Sequence, residues 1–357
     1  MANKLDRSSN SLPRVSVIVP CRNEAPFIAR CLESIIANDY PRDSLEILVV
    51  DGMSDDKTWN IVGDFAREHP EVKTLRNPRL ITPVALNLGI THARGEIIFR
   101  IDAHARVARD YLRLCVDGLR NYDVDNIGGA METLPVDDGL VARAIAASMS
   151  HVFGVGNSGF RVGTEQVVAT DTVFGGCYRR VVFERIGLFN ERLMRTQDME
   201  FNQRLRKAGG RILLDPKIRC CYYASAGVKS FARRNFHDGL WAILPFAYSE
   251  VLPVRLRHLV PGAFTGAIAL LLMLGIWLEP LRLLLAAMMG LYVVADLVSS
   301  IQIAWRKRDF RYACLLPVIF GVRHFAYGFG SLCAAMKLAC NREFISNTLW
   351  RAKFRPV

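Results

Sequence analysis

Nothing in the opening stretch, MANKLDRSSNSLPR, supplies the apolar core of an export signal, so the chain is expected to begin on the cytoplasmic side. Nine cysteines are scattered through the sequence with one vicinal pair, Cys220-Cys221, but no CxxC pairs stand at zinc spacing. That absence argues against a structural zinc site or a disulfide framework and points to a reducing compartment. Acidic residues are in short supply: 34 Asp and Glu face 46 Lys and Arg, for a net charge of +12 over 357 residues. Anionic partners are therefore expected. The basic residues form no block, and no aromatic–basic motif accompanies them, which argues against nucleic acid. Their spread beside apolar segments favours a membrane surface or a phosphorylated ligand.

What is present changes character near residue 257. Before it, short apolar runs alternate with charged stretches. VSVIVPCRNE, LEILVVDGMSDD and EIIFRIDAHA read as strands that each end in polar residues. Between the first two, Phe27, Ile28, Leu32, Ile35 and Ile36 recur at helical spacing. KTWNIVGDFAREHP after the second is also helical, with Ser54 or Asp56 available as N-cap and Pro70 beyond its end. Strand–helix alternation implies a parallel sheet covered by helices, an α/β fold. Ligands of such sheets bind outside the carboxyl ends of the strands, so the three polar strand ends are expected to meet at one crevice.

Beyond residue 257, LVPGAFTGAIALLLMLGIWL carries no charge over 20 residues, enough to cross about 30 Å of hydrocarbon. LLLAAMMGLYVVADLVSSIQIAW holds only Asp296, and YACLLPVIFGVRHFAYGFGSLCAAM is interrupted by Arg323 and His324. Three such segments predict a helical membrane region. Arg255 and Arg257 before the first, and Arg306, Lys307, Arg308 and Arg311 after the second, place the N-terminal domain in the cytoplasm. The basic tail NREFISNTLWRAKFRPV conflicts with three simple crossings. A re-entrant pair split at Arg323-His324 is the alternative to a third span.

The strand in EIIFRIDAHARV ends in Asp102-Ala103-His104, two metal-ligand types one residue apart. On an extended strand their side chains point the same way, so both can reach one ion. Histidine is softer than carboxylate, which tilts preference from Mg²⁺ towards Mn²⁺. The set VSVIVPCRNE, VVDGMSDD, DAH and QDMEFNQRL, in that order, resembles the family 2 inverting glycosyltransferases of GT-A fold over residues 15 to about 240. Together with TPVALNLGITHARGEIIFRIDAHA, FGVGNSGFR and the apolar C-terminal region, it is most similar to bacterial exopolysaccharide enzymes of the succinoglycan type.

The resemblance implies a nucleotide-sugar pocket lined by Pro20, Arg22, Asn23 and Glu24, with Asp51 accepting a hydrogen bond from the nucleoside. Read from the residues alone, Asp51 is an Asp-Gly turn and Asp56 a helix cap. Gly52 stands where many relatives carry a second aspartate. The resemblance further implies that Asp102 and His104 hold a divalent cation, Mn²⁺ or Mg²⁺, against the donor diphosphate. His104 can instead donate a hydrogen bond to phosphate. Asp198 corresponds to the general base, while Gln197 replaces the family's neighbouring glutamate. The helix dipole offers Asp198 a plainer role in a first turn. Gly175 and Gly176 let the backbone approach the sugar. The processive motif Gln-x-x-Arg-Trp is absent at SFARRNFHDGLW, where Arg233 or Arg234 can meet diphosphate, lipid phosphate or headgroups, and its loss implies one sugar added per encounter.

The organisation expected is a polar tail (1–14), a GT-A (Rossmann-like) domain (15–240), a membrane region of two or three transmembrane or re-entrant helices (241–340) and a basic tail (341–357). The function implied is transfer of a hexose, glucose from UDP-glucose, onto a lipid-linked oligosaccharide at the cytoplasmic face of a bacterial inner membrane. Alternatives are transfer to polyprenyl phosphate or to a glycolipid, or a catalytically weakened scaffold. Expected partners are a UDP-hexose donor, a lipid-linked saccharide acceptor, membrane lipids and a polysaccharide assembly complex.

Overall fold

A computed structural model describes residues 12–225, 227–249, 251 and 254–340. The polar tail before residue 12 and the basic tail 341–357 lie outside the described residues. The chain divides into two compact units, one of Met1–Leu134 with Ser158–Tyr223, the other of Pro135–Asn157 with the chain from Ala224 onward.

The first unit is built on one mixed sheet. Among the described residues its strands are β1 (Val15–Cys21), β2 (Leu45–Asp51), β3 (Val72–Arg76), β4 (Ile97–Arg100), β5 (Ala105–Val107), β6 (Asn126–Leu134), β7 (Val168–Ala169), β8 (Cys177–Arg179) and β9 (Ile212–Tyr223), in spatial order β3-β2-β1-β4-β8-β6-β9-β5, with β7 beside β9. β1, β2, β3 and β4 run parallel, and β8 joins antiparallel. Every residue of β2 is buried, the mark of a strand covered on both faces. Helices α1 (Ile28–Ile36), α2 (Thr58–Glu68) and α3 (Thr82–His92) are the crossovers that a parallel sheet requires. α4 (Tyr111–Tyr122) packs on β6 and β9. Sheet-facing Ile18, Leu48, Ile98, Tyr178 and Leu214 share one core with Leu86, Phe183 and Phe201.

One expectation is corrected at the centre of the sheet. EIIFRIDAHA is not a single strand: β4 stops at Arg100, a turn closes with Ala105 N donating to Asp102 O at 2.9 Å, and β5 pairs antiparallel with β9. Asp102 and His104 are presented by this turn and not by extended-strand alternation. In the last sheet bonds here Arg100 N donates to Gly176 O and Ile101 N donates to Ile18 O, after which the chain folds back.

The second unit is helical. α5 (Leu140–Ser148) and α6 (Val152–Val155) precede one-turn α7 (Gly159–Val162), α8 (Arg180–Ile186) and α9 (Gln197–Lys207) in the chain, but those last three belong to the first unit. The unit continues with α10 (Val228–Ile243), α11 (Leu256–Leu274), α12 (Glu279–Lys307) and α13 (Arg311–Ala339). The last three are long and apolar enough to cross a membrane. Leu270, Met273, Ile276, Trp277, Leu283 and Leu291 stand exposed on α11, α12 and the turn between them, an apolar surface that water would not tolerate. α10 and α13 meet through small residues: a Cβ on Gly239 would lie 1.9 Å from Tyr327 O, and one on Gly330 would lie 2.1 Å from Phe236 O.

Arg323 and His324 do not break α13, which is continuous from Arg311 to Ala339. Arg323 donates to Gly154 O and, at 3.1 Å, to Asn235 Oδ1. The His324 ring bonds Phe153 O at 2.9 Å and Tyr292 Oη at 3.0 Å. The polar pair is thus satisfied inside the helical bundle, which removes the reason for the helix to turn back.

Candidate active site

The carboxyl ends of β1, β2 and β4 converge because β1 lies between the other two. The loops after β1 and β2 are tied together. Asn23, at a left-handed φ of 56°, donates its backbone N–H to Ser54 Oγ at 2.9 Å and accepts from Asp55 N at 3.0 Å. Glu24 N donates to Thr58 Oγ1, and Ala25 N donates to Asp56. Asp56 also accepts from Thr58 N at 2.9 Å, so it clasps the two loops; the residue in the N-cap position of α2 is Lys57, which makes no capping bond.

Asp51, at the end of β2, is fully enclosed. It accepts from Ser54 N at 3.1 Å and from Arg76 Nη1 at 2.8 Å, and the Arg76 guanidinium lies 3.6 Å from the centre of the Trp59 ring. A nucleoside group would reach Asp51 only by exchanging with Ser54 or Arg76. Pro20, Arg22, Asn23 and Glu24 stand around the same strand end, Arg22 and Asn23 exposed and the other two half-buried.

The centre of the crevice is Arg100, a residue that the sequence reading passed over. Its Nη2 lies 3.0 Å from Asp102 Oδ1, and its Nη1 lies 3.3 Å from Asp198 Oδ2. Its side chain is only 11% exposed, and its Nε and Nη1 lack well-aligned hydrogen-bond acceptors. Burial works against the charge, yet Asp102 and Asp198 outweigh it and raise the Arg100 pKa. The available signal was a single arginine at the end of the apolar run Ile97-Ile98-Phe99.

Asp198 opens α9 and accepts from the Met199 backbone N–H at 2.9 Å. Its other carboxylate oxygen faces Arg100 Nη1 at 3.3 Å, so the side chain serves both the helix start and the arginine. α9 is fixed from behind: Asn202 accepts from Tyr178 Oη at 3.1 Å and from Asn126 Nδ2 at 3.0 Å, while Phe201 packs against Phe183, Phe189 and Tyr178. Glu200 turns away into Arg204 at 2.8 Å. Gly175 and Gly176 take φ of +67° and +102°. A Cβ on Gly175 would sit 2.5 Å from Arg100 O, so this pair lets β8 pass close under the arginine.

His104 Nδ1 lies 2.9 Å from Glu24 Oε1, and its ring meets Tyr222 edge-on at 4.8 Å. Burial disfavours a charged ring, but Tyr222 and Glu24 outweigh it and raise the His104 pKa to about 9. Among the described residues no three or more His, Cys, Asp and Glu side chains gather to hold a metal ion. Mg²⁺ and Mn²⁺ at nucleotide sites need only one or two protein ligands beside phosphate oxygens. Asp102 and His104 fit that demand: a Glu24 that accepts from Nδ1–H leaves Nε2 as the ligand atom, the carboxylate–histidine arrangement of metal sites. Metal binding there would require a neutral ring, which the raised pKa opposes.

The chain resembles known proteins in sequence and in fold. Residues 16–187 match the family described as Glycosyl transferase family 2. The succinoglycan biosynthesis protein ExoA of Rhizobium meliloti is 28% identical, with 90% of this chain and 96% of that protein covered. A dolichyl N-acetyl-α-D-glucosaminyl phosphate 3-β-D-2,3-diacetamido-2,3-dideoxy-β-D-glucuronosyltransferase of Methanococcus voltae is 26% identical, covering 80% of this chain and 92% of its own. Among solved structures, the mannosyltransferase PcManGT of Pyrobaculum calidifontis, in complex with GDP-Man and Mn²⁺, superposes with a TM-score of 0.59 at 25% identity over 90% of this chain and 88% of that one.

Proposed function

From the premise that this chain carries a family 2 glycosyltransferase domain of GT-A fold, we propose that Arg100, Asp102 and Asp198 form the transfer site of a metal-dependent inverting enzyme. The observation that carries the reading is the single buried guanidinium that holds both carboxylates, 3.0 Å from Asp102 and 3.3 Å from Asp198.

Asp198 is the base. With a reference pKa of about 3.9, such a carboxylate is ionised at neutral pH and can take the proton of an acceptor hydroxyl. The acceptor oxygen then attacks the anomeric carbon while the bond to the nucleoside diphosphate breaks on the opposite face. One displacement inverts the configuration. Arg100 orients Asp198, and its buried charge would help to stabilise the negative charge that grows on the diphosphate. Asp102 and His104 would hold the divalent cation. Bound there, that cation supplies charge neutralisation to the leaving diphosphate. Pro20, Arg22, Asn23, Glu24 and Asp51 shape the nucleotide pocket, and Gly175-Gly176 bring backbone close to the sugar.

The donor proposed is UDP-glucose and the acceptor a lipid-linked oligosaccharide. The names of two relatives support an acceptor of this kind, one a dolichyl-phosphate-linked sugar and the other succinoglycan, a polysaccharide. α11, α12 and α13 would span a bacterial inner membrane, with the catalytic unit on the cytoplasmic side where Arg255, Arg257, Arg306, Lys307 and Arg308 collect. Membranes incubated with labelled UDP-glucose, UDP-N-acetylglucosamine and GDP-mannose, followed by extraction of the lipid fraction, test this. Label from UDP-glucose in the lipid fraction, dependent on a divalent cation, is the expected result. Label from another donor would correct the sugar, and no label with any donor, together with no donor hydrolysis, would favour a scaffold.

A further inference from the structure

A second concave site lies in the first unit, on the exposed side of the strands that carry Tyr222. Its cavity of about 580 Å³ is lined by Arg106, Glu132, Arg161, Arg219 and Cys221 among others. The sheet register builds it. Arg106 of β5 stands opposite Cys221 of β9, Cys221 stands opposite Glu132 of β6, and Arg219 follows on the same face of β9 two residues earlier. The one-turn α7 adds Arg161 from the far wall, just before Gly163 turns the chain at a φ of +87°. This is the FGVGNSGFR segment, for which the transfer chemistry has no use.

Three arginines and one carboxylate therefore line one cavity. Cations gathered around one cavity repel one another unless an anion joins them. The guanidinium fork matches phosphate and carboxylate oxygens in pairs, which a lysine cannot do. Tyr223 holds Arg106 by a side-chain hydrogen bond, so this arginine is partly preorganised. The cavity also adjoins the transfer site: the Arg161 guanidinium lies 5.8 Å from the centre of the Tyr222 ring, which also meets His104 at 4.8 Å.

We propose that this cavity is an oxyanion-binding site that takes a phosphate or carboxylate group of the acceptor. Naming the ligand as the acceptor's rests on the reading of Asp102 and Asp198 as the transfer site; the oxyanion site itself does not. A saccharide that enters with its hydroxyl towards Asp198 would anchor its charged group on Arg106, Arg161 and Arg219. The anion, once bound, neutralises the wall and covers Cys221.

Cys221 supplies a local readout, because it is part-exposed and lies in the cavity wall, 4.0 Å from Glu132. The full chain in detergent, with a chelator present so that the donor site stays empty of metal, is treated with N-ethylmaleimide. The rate of modification of the Cys221 peptide is followed by mass spectrometry against rising inorganic pyrophosphate or D-glucuronate, each compared with sodium chloride at equal ionic strength. Saturable protection by pyrophosphate assigns a phosphate ligand, and protection by glucuronate assigns a carboxylate ligand. In either case Arg219→Gln or Arg106→Gln, both at exposed positions, should weaken half-protection about tenfold. Protection no greater than that by chloride, or protection unchanged in both variants, overturns the proposal. Because no sugar transfer is measured, failure here leaves the transfer reading standing, and failure of transfer leaves this site standing.

Discussion

Arg100 Nη1 stands 3.3 Å from Asp198 Oδ2, joining the end of a central strand to the first turn of a helix far along the chain. The same guanidinium bonds Asp102. An arginine that is this buried cannot serve as a free surface charge. It sets the position of two carboxylates at once, and the first expectations follow from that role.

Arg100→Gln should lower transfer by about 10²–10³, as expected when a charge-stabilising donor is lost from a site. Arg100→Lys should recover little, since one ammonium cannot fork to two carboxylates. In a double-mutant cycle with Asp198→Asn, single-turnover rates should be strongly non-additive. Additive losses would mean that the two side chains act independently.

Asp198→Asn keeps size and removes the basic oxygen. Transfer should fall by about 10²–10⁴ while nucleotide affinity barely changes, because the base contributes only as the acceptor proton leaves. Asp51→Ala should do the reverse. Calorimetry of UDP binding beside single-turnover transfer separates the two. Loss of affinity with an intact rate in Asp198→Asn would return that residue to helix-end electrostatics.

The bond between His104 and Glu24 predicts linked metal preferences. His104→Asp should retain activity and shift it from Mn²⁺ towards Mg²⁺, whereas Asp102→Ala should nearly abolish turnover. Glu24→Gln should weaken metal affinity by about 10- to 100-fold, the usual effect of removing a carboxylate behind a ligating histidine. Equal Mn²⁺ and Mg²⁺ responses in wild type and His104→Asp would remove the histidine from the metal.

Away from the crevice, Glu46 is buried in β2 and accepts from Ser16 Oγ, Lys73 Nζ and Arg94 N at 2.7, 2.7 and 2.9 Å. Burial alone would raise its pKa, but the bonds to Lys73, Ser16 and Arg94 prevail and lower it. The unfolded carboxyl titrates near 4.3, above the folded value. Its contribution to stability is therefore full above about pH 4.3 and is lost as pH falls through the folded value. Thermal melts of Glu46→Gln should show a lower Tm than wild type at pH 7 and a smaller decline below pH 4.5. Parallel curves for the two proteins would show that Glu46 is not the titrating group.

In the helical unit, Gly239→Leu should disrupt the approach of α10 to α13, where a Cβ already meets Tyr327 O at 1.9 Å. Core overpacking of this kind costs about 1–3 kcal/mol or more. Thermal melting in detergent should drop by several degrees, with UDP affinity in the first unit unchanged. An unaltered melt would mean that the two helices do not meet there.

The apolar strands, the helical spacing of Phe27 to Ile36 and the three long apolar runs were legible in the sequence, because periodicity and length report which solvent each segment meets. The resemblance carried by DAH and QDMEFNQRL located Asp102, His104 and Asp198 as candidates, since such motifs are local in the chain. Tertiary structure alone decided three further features. Arg100 reads as an interruption in an apolar strand until folding brings Asp198 beside it. DAH reads as strand until β5 turns back onto β9, and Arg323-His324 reads as a break until Gly154, Asn235 and Phe153 supply its partners. A lone charge in an apolar run carries no address for its partner. Only the long-range packing that surrounds it with acceptors decides whether that charge breaks the element or becomes its functional centre.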